Sequence, residues 1–294
     1  MQLDHLYFEG IIPDRSRSLR ISRTPEVIRP VGAVRGKEDG FIGSLFGISD
    51  LSVSAYRTRA LTRRLPACLR FLRVSDVQEA SLKIWKDPEL AVAALNIVLL
   101  GVTEFFRDQA VFDHLQQNVL PRLLERNARP RIWSAACSDG QELYSVGMLL
   151  EEMGRLADCE LVGTDLRSEA VNQASSGIFA RSSLDQLDQS RRQRFFTEGG
   201  NSALIDPVLR AQTKWAVADL LRDVEKGPWD VILWRNMAIY LEYDAAGRVW
   251  EDLCAELRPG GYLIGGRADV PPKWLPLKRV GPCTYQRTGA RMFR

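Results

Sequence analysis

Histidine is scarce in this chain: among 294 residues there are two, His5 and His114. So few imidazoles argue against a histidine-built metal centre or a histidine-driven proton relay. The five cysteines, at 68, 137, 159, 254 and 283, form no C-x-x-C pair and are odd in number. That spacing excludes a zinc ribbon or a thioredoxin-type site. It predicts reduced thiols, packed as small apolar groups in a cytoplasmic protein that holds no metal. Long hydrophobic runs are missing too. The longest, Ala91 to Gly101, contains Asn96 and falls short of the roughly 20 residues that a membrane helix needs. The opening MQLDHLYFEG has no basic stretch followed by an apolar core, so no signal peptide is expected. Nor does one sign of charge dominate. Forty Lys and Arg against 37 Asp and Glu give a formal +3, too little by itself to imply a nucleic-acid partner. Neither G-x-G-x-x-G nor G-x-x-x-x-G-K occurs, so a pyrophosphate or nucleoside triphosphate ligand has little support.

What is present is ordinary globular material, 45% hydrophobic and 26% charged, enough for a sizeable core and two domains. Residues 1–40 are rich in Arg, Pro and Gly without sustained periodicity and read as a flexible or surface-hugging extension. Residues 41–100 read as a small helical domain. Pro66 is expected to end or kink a helix just before it, and Val77 to Trp85 and Glu89 to Leu100 are expected as two further helices. Leu51 to Ser75 carries six arginines (57, 59, 63, 64, 70 and 73) and no acidic residue.

Residues 101–294 alternate strand and helix. Strands are expected at Arg131 to Ala136, Leu161 to Asp165, Lys214 to Val217, Trp229 to Trp234, Tyr262 to Gly265 and Cys283 to Thr288. Helices are expected at Val119 to Glu125, Glu142 to Leu156, Ser168 to Ser175 and Ala245 to Leu257. Arg258-Pro259-Gly260-Gly261 reads as a helix stop. The alternation predicts a mostly parallel sheet with helices on both faces.

Such sheets bind ligands beyond the carboxyl ends of their strands. The first such end is Ile132-Trp133-Ser134-Ala135-Ala136-Cys137-Ser138-Asp139-Gly140-Gln141-Glu142, whose small residues let a ligand approach the backbone. Ser138 with Gln141 is spaced as a capping box. On this segment alone a plain strand-to-helix turn fits equally well. Asp165 closes the second strand in Gly163-Thr164-Asp165-Leu166. Its carboxylate either caps the next helix or accepts from ribose hydroxyls. Together the two features favour a nucleoside without phosphates, such as S-adenosylmethionine.

Several segments resemble the CheR-type chemotaxis receptor methyltransferases. They are Thr103-Glu104-Phe105-Phe106-Arg107-Asp108, Trp133 through Ser145, Thr164-Asp165, Asp230-Val231-Ile232, Arg235-Asn236-Met237-Ala238-Ile239-Tyr240 and Leu257 to Leu263, in the family's order and approximate spacing. The resemblance covers roughly residues 43–290. It implies an α/β fold: a Rossmann-like S-adenosylmethionine-dependent methyltransferase domain behind a small N-terminal helical domain. It also implies an enzyme that turns glutamate side chains of chemoreceptors into γ-methyl esters, releasing S-adenosylhomocysteine.

Carried over by position, Thr103, Arg107, Ala136, Glu142, Asp165, Asp219, Leu220, Arg235 and Asn236 would bind the cofactor. Arg107 and Tyr240 would lie near the reacting methyl group. Arg57, Arg63 and Arg64, neighbours if one helix runs there, would meet an acidic helical substrate. Asp206 to Val217 resembles the family's small antiparallel elaboration. The chain departs from the family at Gly101 (usually Asn), Asp219 (usually Asn), Trp234 (often Cys) and Gly266-Arg267-Ala268-Asp269 (often Gly-His-Ser-Glu).

The chemistry is consistent with the residues. A glutamate ionises near ~4.3 and is already an anionic nucleophile at neutral pH, so no general base is required. A hydroxyl or amine acceptor would need one; Tyr240 is the one motif residue available, and a phenol suits that role poorly. Two other functions remain open on the sequence: the same fold acting on a small-molecule acceptor, and a non-catalytic protein that binds cofactor and a partner.

Overall fold

The computed structural model describes residues 37–49, 51–99, 101 and 103–289. The extension expected over residues 1–40 lies outside the described residues up to position 36; from Lys37 the chain is already helical. Five helices come first: α1 (Lys37–Ile48), α2 (Thr58–Thr62), α3 (Leu65–Leu72), α4 (Val77–Lys86) and α5 (Pro88–Leu99). Asp76 starts α4 by accepting from the N–H groups of Gln78 and Glu79 at 2.8 and 2.9 Å, a cap worth about 1 kcal/mol. Pro66 occupies the first turn of α3, where its missing N–H costs nothing, rather than ending a helix. The continuous helix expected beneath Arg57, Arg63 and Arg64 is absent. Arg57 and Arg63 flank α2 at its two ends, and Arg64 precedes α3.

The chain continues through α6 (Gln109–His114), α7 (Leu120–Arg126), β1 (Arg131–Ala135), α8 (Gln141–Glu152), β2 (Glu160–Asp165) and α9 (Ser168–Ser176). An inserted unit follows: β3 (Ile178–Ala180), α10 (Gln189–Phe195), β4 (Phe196–Gly199) and β5 (Ser202–Ile205). Then come α11 (Pro207–Gln212), β6 (Thr213–Val217), β7 (Trp229–Leu233), α12 (Tyr243–Glu256), β8 (Leu257–Ile264), β9 (Leu277–Gly281) and β10 (Thr284–Arg287).

Seven strands form one sheet in the order β6-β2-β1-β7-β8-β10-β9. The first five are parallel, and β10 is antiparallel to both of its neighbours. From β1 the chain winds outward through β2 to β6, then returns to β7 on the other side of β1. The direction of winding therefore reverses between β1 and β7, which opens a crevice at their carboxyl ends.

Alternation along the strands divides the core. Trp133, Trp229, Ile232, Trp234 and Leu263 face the cluster that contains α1 to α5 and α12. Ile132, Val231, Leu233, Tyr262 and Ile264 face the cluster around α6 to α8 and the inserted unit. Both faces are covered over the central parallel strands β1 and β7, as a parallel sheet requires, while the edge strand β9 is largely exposed.

Three further expectations are corrected. Asp206 to Val217 is not an antiparallel elaboration: Asp206 caps α11 by accepting from the Val208 N–H at 2.7 Å, Pro207 begins the helix, and β6 follows. The small antiparallel sheet lies upstream, in the order β3-β5-β4, with Gly199-Gly200-Asn201 turning β4 into β5. α12 ends at Glu256, directly before Arg258-Pro259-Gly260-Gly261, as that stop predicts, but the strand expected from Tyr262 begins earlier. β8 runs from Leu257 through these residues, and the glycines absorb a register shift against β7. Finally, Ser138 does not cap α8. Gly140, at φ +94°, occupies the N-cap with no side-chain bond.

Candidate active site

A cavity of about 210 Å³ opens at the crevice between β1 and β7. Its wall includes Thr103, Arg107, Ala136, Glu142, Asp165, Asp219, Leu220, Arg235, Asn236 and Tyr240. Every residue expected to bind cofactor or to lie near the methyl group is therefore brought to one cleft, from segments up to 137 residues apart in sequence (103 to 240). Arg57, Arg63 and Arg64 do not line it; Arg57 and Arg63 are exposed and Arg64 is half-buried.

The backbone around the cleft is held in unusual shapes. Seven non-glycine residues among those described have positive φ. Three of them, Ala136 (58°), Ser138 (51°) and Asn236 (60°), line the cavity, and Phe106 (52°) and Asp108 (62°) bracket Arg107. Strain of about 1–3 kcal/mol each persists only where surrounding contacts hold it, and it concentrates at functional sites. Here the holding contacts are visible. The Phe106 N–H donates to Ser145 Oγ at 3.0 Å, the Ser138 N–H to Asp165 Oδ2 at 2.8 Å, and the Asn236 N–H to Asp269 Oδ2.

Asp165 is buried at the end of β2. Beyond the Ser138 bond, its Oδ1 accepts from the Arg167 N–H at 3.0 Å and from Arg167 Nε at 3.2 Å. Arg167 Nη2 reaches Ser138 Oγ at 2.9 Å, so the turns after β1 and β2 are locked together. Glu142, in the first turn of α8, accepts from Ser134 Oγ at 2.7 Å and from Arg235 Nη1 at 3.1 Å. Arg235 also donates to the Arg107 carbonyl at 2.6 Å and to Asp108 Oδ2 at 2.9 Å. Asp108 is thus the partner of Arg235, and on its other oxygen of Arg267 at 2.7 Å. Asp219 accepts from the Leu221 N–H at 3.0 Å, and burial pushes its carboxyl above the usual range.

Sequence reasoning missed several members of the wall, Tyr56 and Arg167 among them. Tyr56, between α1 and α2, projects into the cleft, and burial, with Asp219 and then Asp165 nearby, pushes its phenol strongly up. Nothing in the residues around Tyr56 signals this, because it reaches the cleft through the fold. Arg167 directly follows the Thr-Asp-Leu of β2, and a buried arginine there was signalled only by its nearness to Asp165.

A doubly wound sheet with a cleft of carboxylates and small residues at its switch point defines a nucleoside-binding α/β enzyme. Residues 101–277 match the model of the CheR methyltransferase SAM binding domain. The chain is 29% identical over 222 residues to a chemotaxis protein methyltransferase of Listeria monocytogenes, covering 75% of this chain and 85% of that one. It is 30% identical over 237 residues to a probable chemotaxis protein methyltransferase of Rhizobium etli, covering 75% and 88%. With chemotaxis protein methyltransferase 1 of Pseudomonas aeruginosa it shares 34% identity over 179 residues, covering 57% and 65%. The protein is an S-adenosylmethionine-dependent methyltransferase and belongs to the CheR methyltransferase family. The donor set of the cleft fits that cofactor. Glu142 and Asp165 offer carboxylate acceptors for an ammonium group and for hydroxyls, and Arg107 offers a guanidinium for a carboxylate. Among the described residues no helix is long and apolar enough to cross a membrane.

Proposed function

We propose that this methyltransferase esterifies glutamate side chains on an acidic helical segment of a chemoreceptor-like protein. One observation carries the reading: the cationic side chains of Arg107, Arg167 and Arg235 line the cleft, and no histidine stands among the described residues lining it. Such a site suits an acceptor that arrives already ionised and needs no base. The names of the relatives, chemotaxis protein methyltransferases, support the same acceptor class.

When bound, S-adenosylmethionine supplies a methyl group on a cationic sulfur, open to in-line attack. Asp165 holds the ribose and Glu142 the amino group. Thr103 and Arg107 hold the methionine end, and Asp219 and Leu220 flank the adenine. Ala136 admits the ligand close to the backbone, and Arg235 and Asn236 close the pocket. Arg107 and Tyr240 face the acceptor carboxylate and orient it. The acceptor oxygen gives up an electron pair and no proton, so alignment and exclusion of water supply much of the rate. Arg57 lies beside this cleft, its N–H bonded to the Tyr240 carbonyl at 2.8 Å. Arg57, with Arg63 at the far end of α2 and Arg64 before α3, supplies positive charge that attracts an acidic helix.

The test has two stages. Calorimetry with S-adenosylmethionine and S-adenosylhomocysteine should show binding that Asp165→Ala and Glu142→Ala each weaken about tenfold or more. Tritiated cofactor with receptor cytoplasmic fragments should then leave base-labile label on the fragment, reduced by Arg57→Glu with Arg63→Glu. Turnover of a small acid with an unlabelled receptor would replace the acceptor. Binding without any turnover would leave a cofactor-binding interaction protein.

A further inference from the structure

Asp165 is already heavily engaged by the protein. Its Oδ1 takes two donors from Arg167, and Oδ2 takes one from the Ser138 N–H. A carboxylate has about four acceptor positions, so three are filled and one remains, on Oδ2. A ribose presents two neighbouring hydroxyls. One free acceptor position satisfies the first and leaves the second without a partner in a buried site, which costs free energy.

The missing partner stands on the same carboxylate. Arg167 lines the cleft, and its side chain is 8% exposed. Nε is engaged by Asp165 and Nη2 by Ser138 Oγ, with Asp139 Oδ1 at 4.0 Å. Nη1 makes no hydrogen bond to another described residue, and it is not sealed from solvent. A guanidinium keeps its charge at any working pH and offers donors in a fixed plane. Its ties to Asp165 and Ser138 leave it little freedom to swing away.

We propose that Arg167 is a further cofactor-binding residue, and that the ribose diol is read by a mixed pair: Asp165 accepts from one hydroxyl and Arg167 Nη1 donates to the other. This rests on the nucleoside seat proposed above. It differs from a seat in which one carboxylate accepts from both hydroxyls, because the two ribose oxygens are recognised by groups of opposite charge and can be separated by substitution.

The experiment is calorimetry of S-adenosylhomocysteine and its 2′-deoxy and 3′-deoxy derivatives with the wild type, Arg167→Gln and Arg167→Lys. Thermal unfolding of each protein confirms that it is folded. In the wild type, removing either hydroxyl should weaken binding about tenfold. In Arg167→Gln one of the two penalties should vanish while the other persists, and Arg167→Lys should restore part of the lost one. If Arg167→Gln does not fold, Arg167→Lys still decides, through a reduced penalty at one hydroxyl only. Two unchanged penalties would mean that Arg167 merely braces Asp165, and the proposal is overturned. Wild-type binding indifferent to both deoxy derivatives overturns it as well, while leaving a nucleoside site in place. Failure of the wild type to bind S-adenosylhomocysteine removes the seat itself, and this proposal with it.

Discussion

Asp108 and Arg235 meet at 2.9 Å although 127 residues separate them in sequence. Their contact ties the Thr103 to Asp108 segment to the end of β7 and keeps Arg107 at the cleft. Arg235 is nearly sealed, with 2% of its side chain exposed, whereas Arg267, the second partner of Asp108, is 79% exposed. Asp108→Ala should therefore cost about 1.5–3 kcal/mol, the worth of a hydrogen bond to a charged group. Arg267→Ala should cost less than about 1 kcal/mol, as an exposed pair does. Urea unfolding of both variants measures the contrast, and equal losses would show that the two contacts are not different in kind.

Gly163 gives β2 its closest approach to a side chain. A Cβ there would come within 2.4 Å of the Trp215 ring. Gly163→Ala should destabilise by about 1–3 kcal/mol through overpacking. Pairing it with Trp215→Leu should recover part of that loss in a double-mutant cycle. Strictly additive losses would mean that the clash is relieved elsewhere.

Thiol reactivity should follow burial. Cys68, Cys137, Cys159 and Cys254 are buried, and Cys283 is half-exposed. Burial pushes Cys68 and Cys159 up to about 11 and Cys137 well above its ordinary range. The native protein at pH 8 should expose a single thiol, Cys283, to Ellman's reagent, and all five only after unfolding. Rapid labelling of Cys137 in the native state would contradict the sealed turn after β1.

Asp269 should leave a mark on the pH dependence of stability. Burial raises its carboxyl, with the Asn236 and Gly266 N–H groups pulling the other way. A raised acid binds its proton more tightly folded than unfolded. Its stabilising contribution is thus present in acid, below the ordinary value near ~3.9, and is lost as pH rises through the raised value. Asp269→Asn should flatten that segment of the profile of unfolding free energy against pH. An unaltered slope in the variant would show that another group sets it.

Much of this architecture is written locally. The Ala-Ala-Cys-Ser-Asp-Gly turn and the Thr-Asp pair each stand at a strand end, so ordering strands and helices was enough to place Ala136, Glu142 and Asp165 at the carboxyl edge. The start of α4 at Val77 was legible, but those of α10 and α11 were not, although Asp188 and Asp206 cap them, because each is a short helix of six or seven residues with little apolar periodicity. Gly140 rather than Ser138 begins α8, and after α12 stops at Glu256 the strand starts at once, with Gly260 and Gly261 inside it. Tyr56 was invisible because it reaches the cleft through the path of the chain between α1 and α2, which no spacing encodes. Nothing in the sequence beyond its nearness to Asp165 singles out Arg167, because an arginine ahead of a helix is ordinary until its burial is known.

The segment around Tyr56 is stitched to the loop that carries Tyr240. The Arg57 N–H donates to the Tyr240 carbonyl at 2.8 Å, and the Glu242 N–H donates to the Ala55 carbonyl at 2.8 Å. The five leading helices also share one apolar cluster with α12 and a whole face of the sheet. A truncated enzyme starting near position 100 would therefore not be a minimal catalytic fragment. It would open the apolar cluster that holds Trp133, Trp229, Trp234 and Trp250, strip two main-chain bonds from the loop bearing Tyr240, and lose Tyr56 and Leu99 from its own binding cleft.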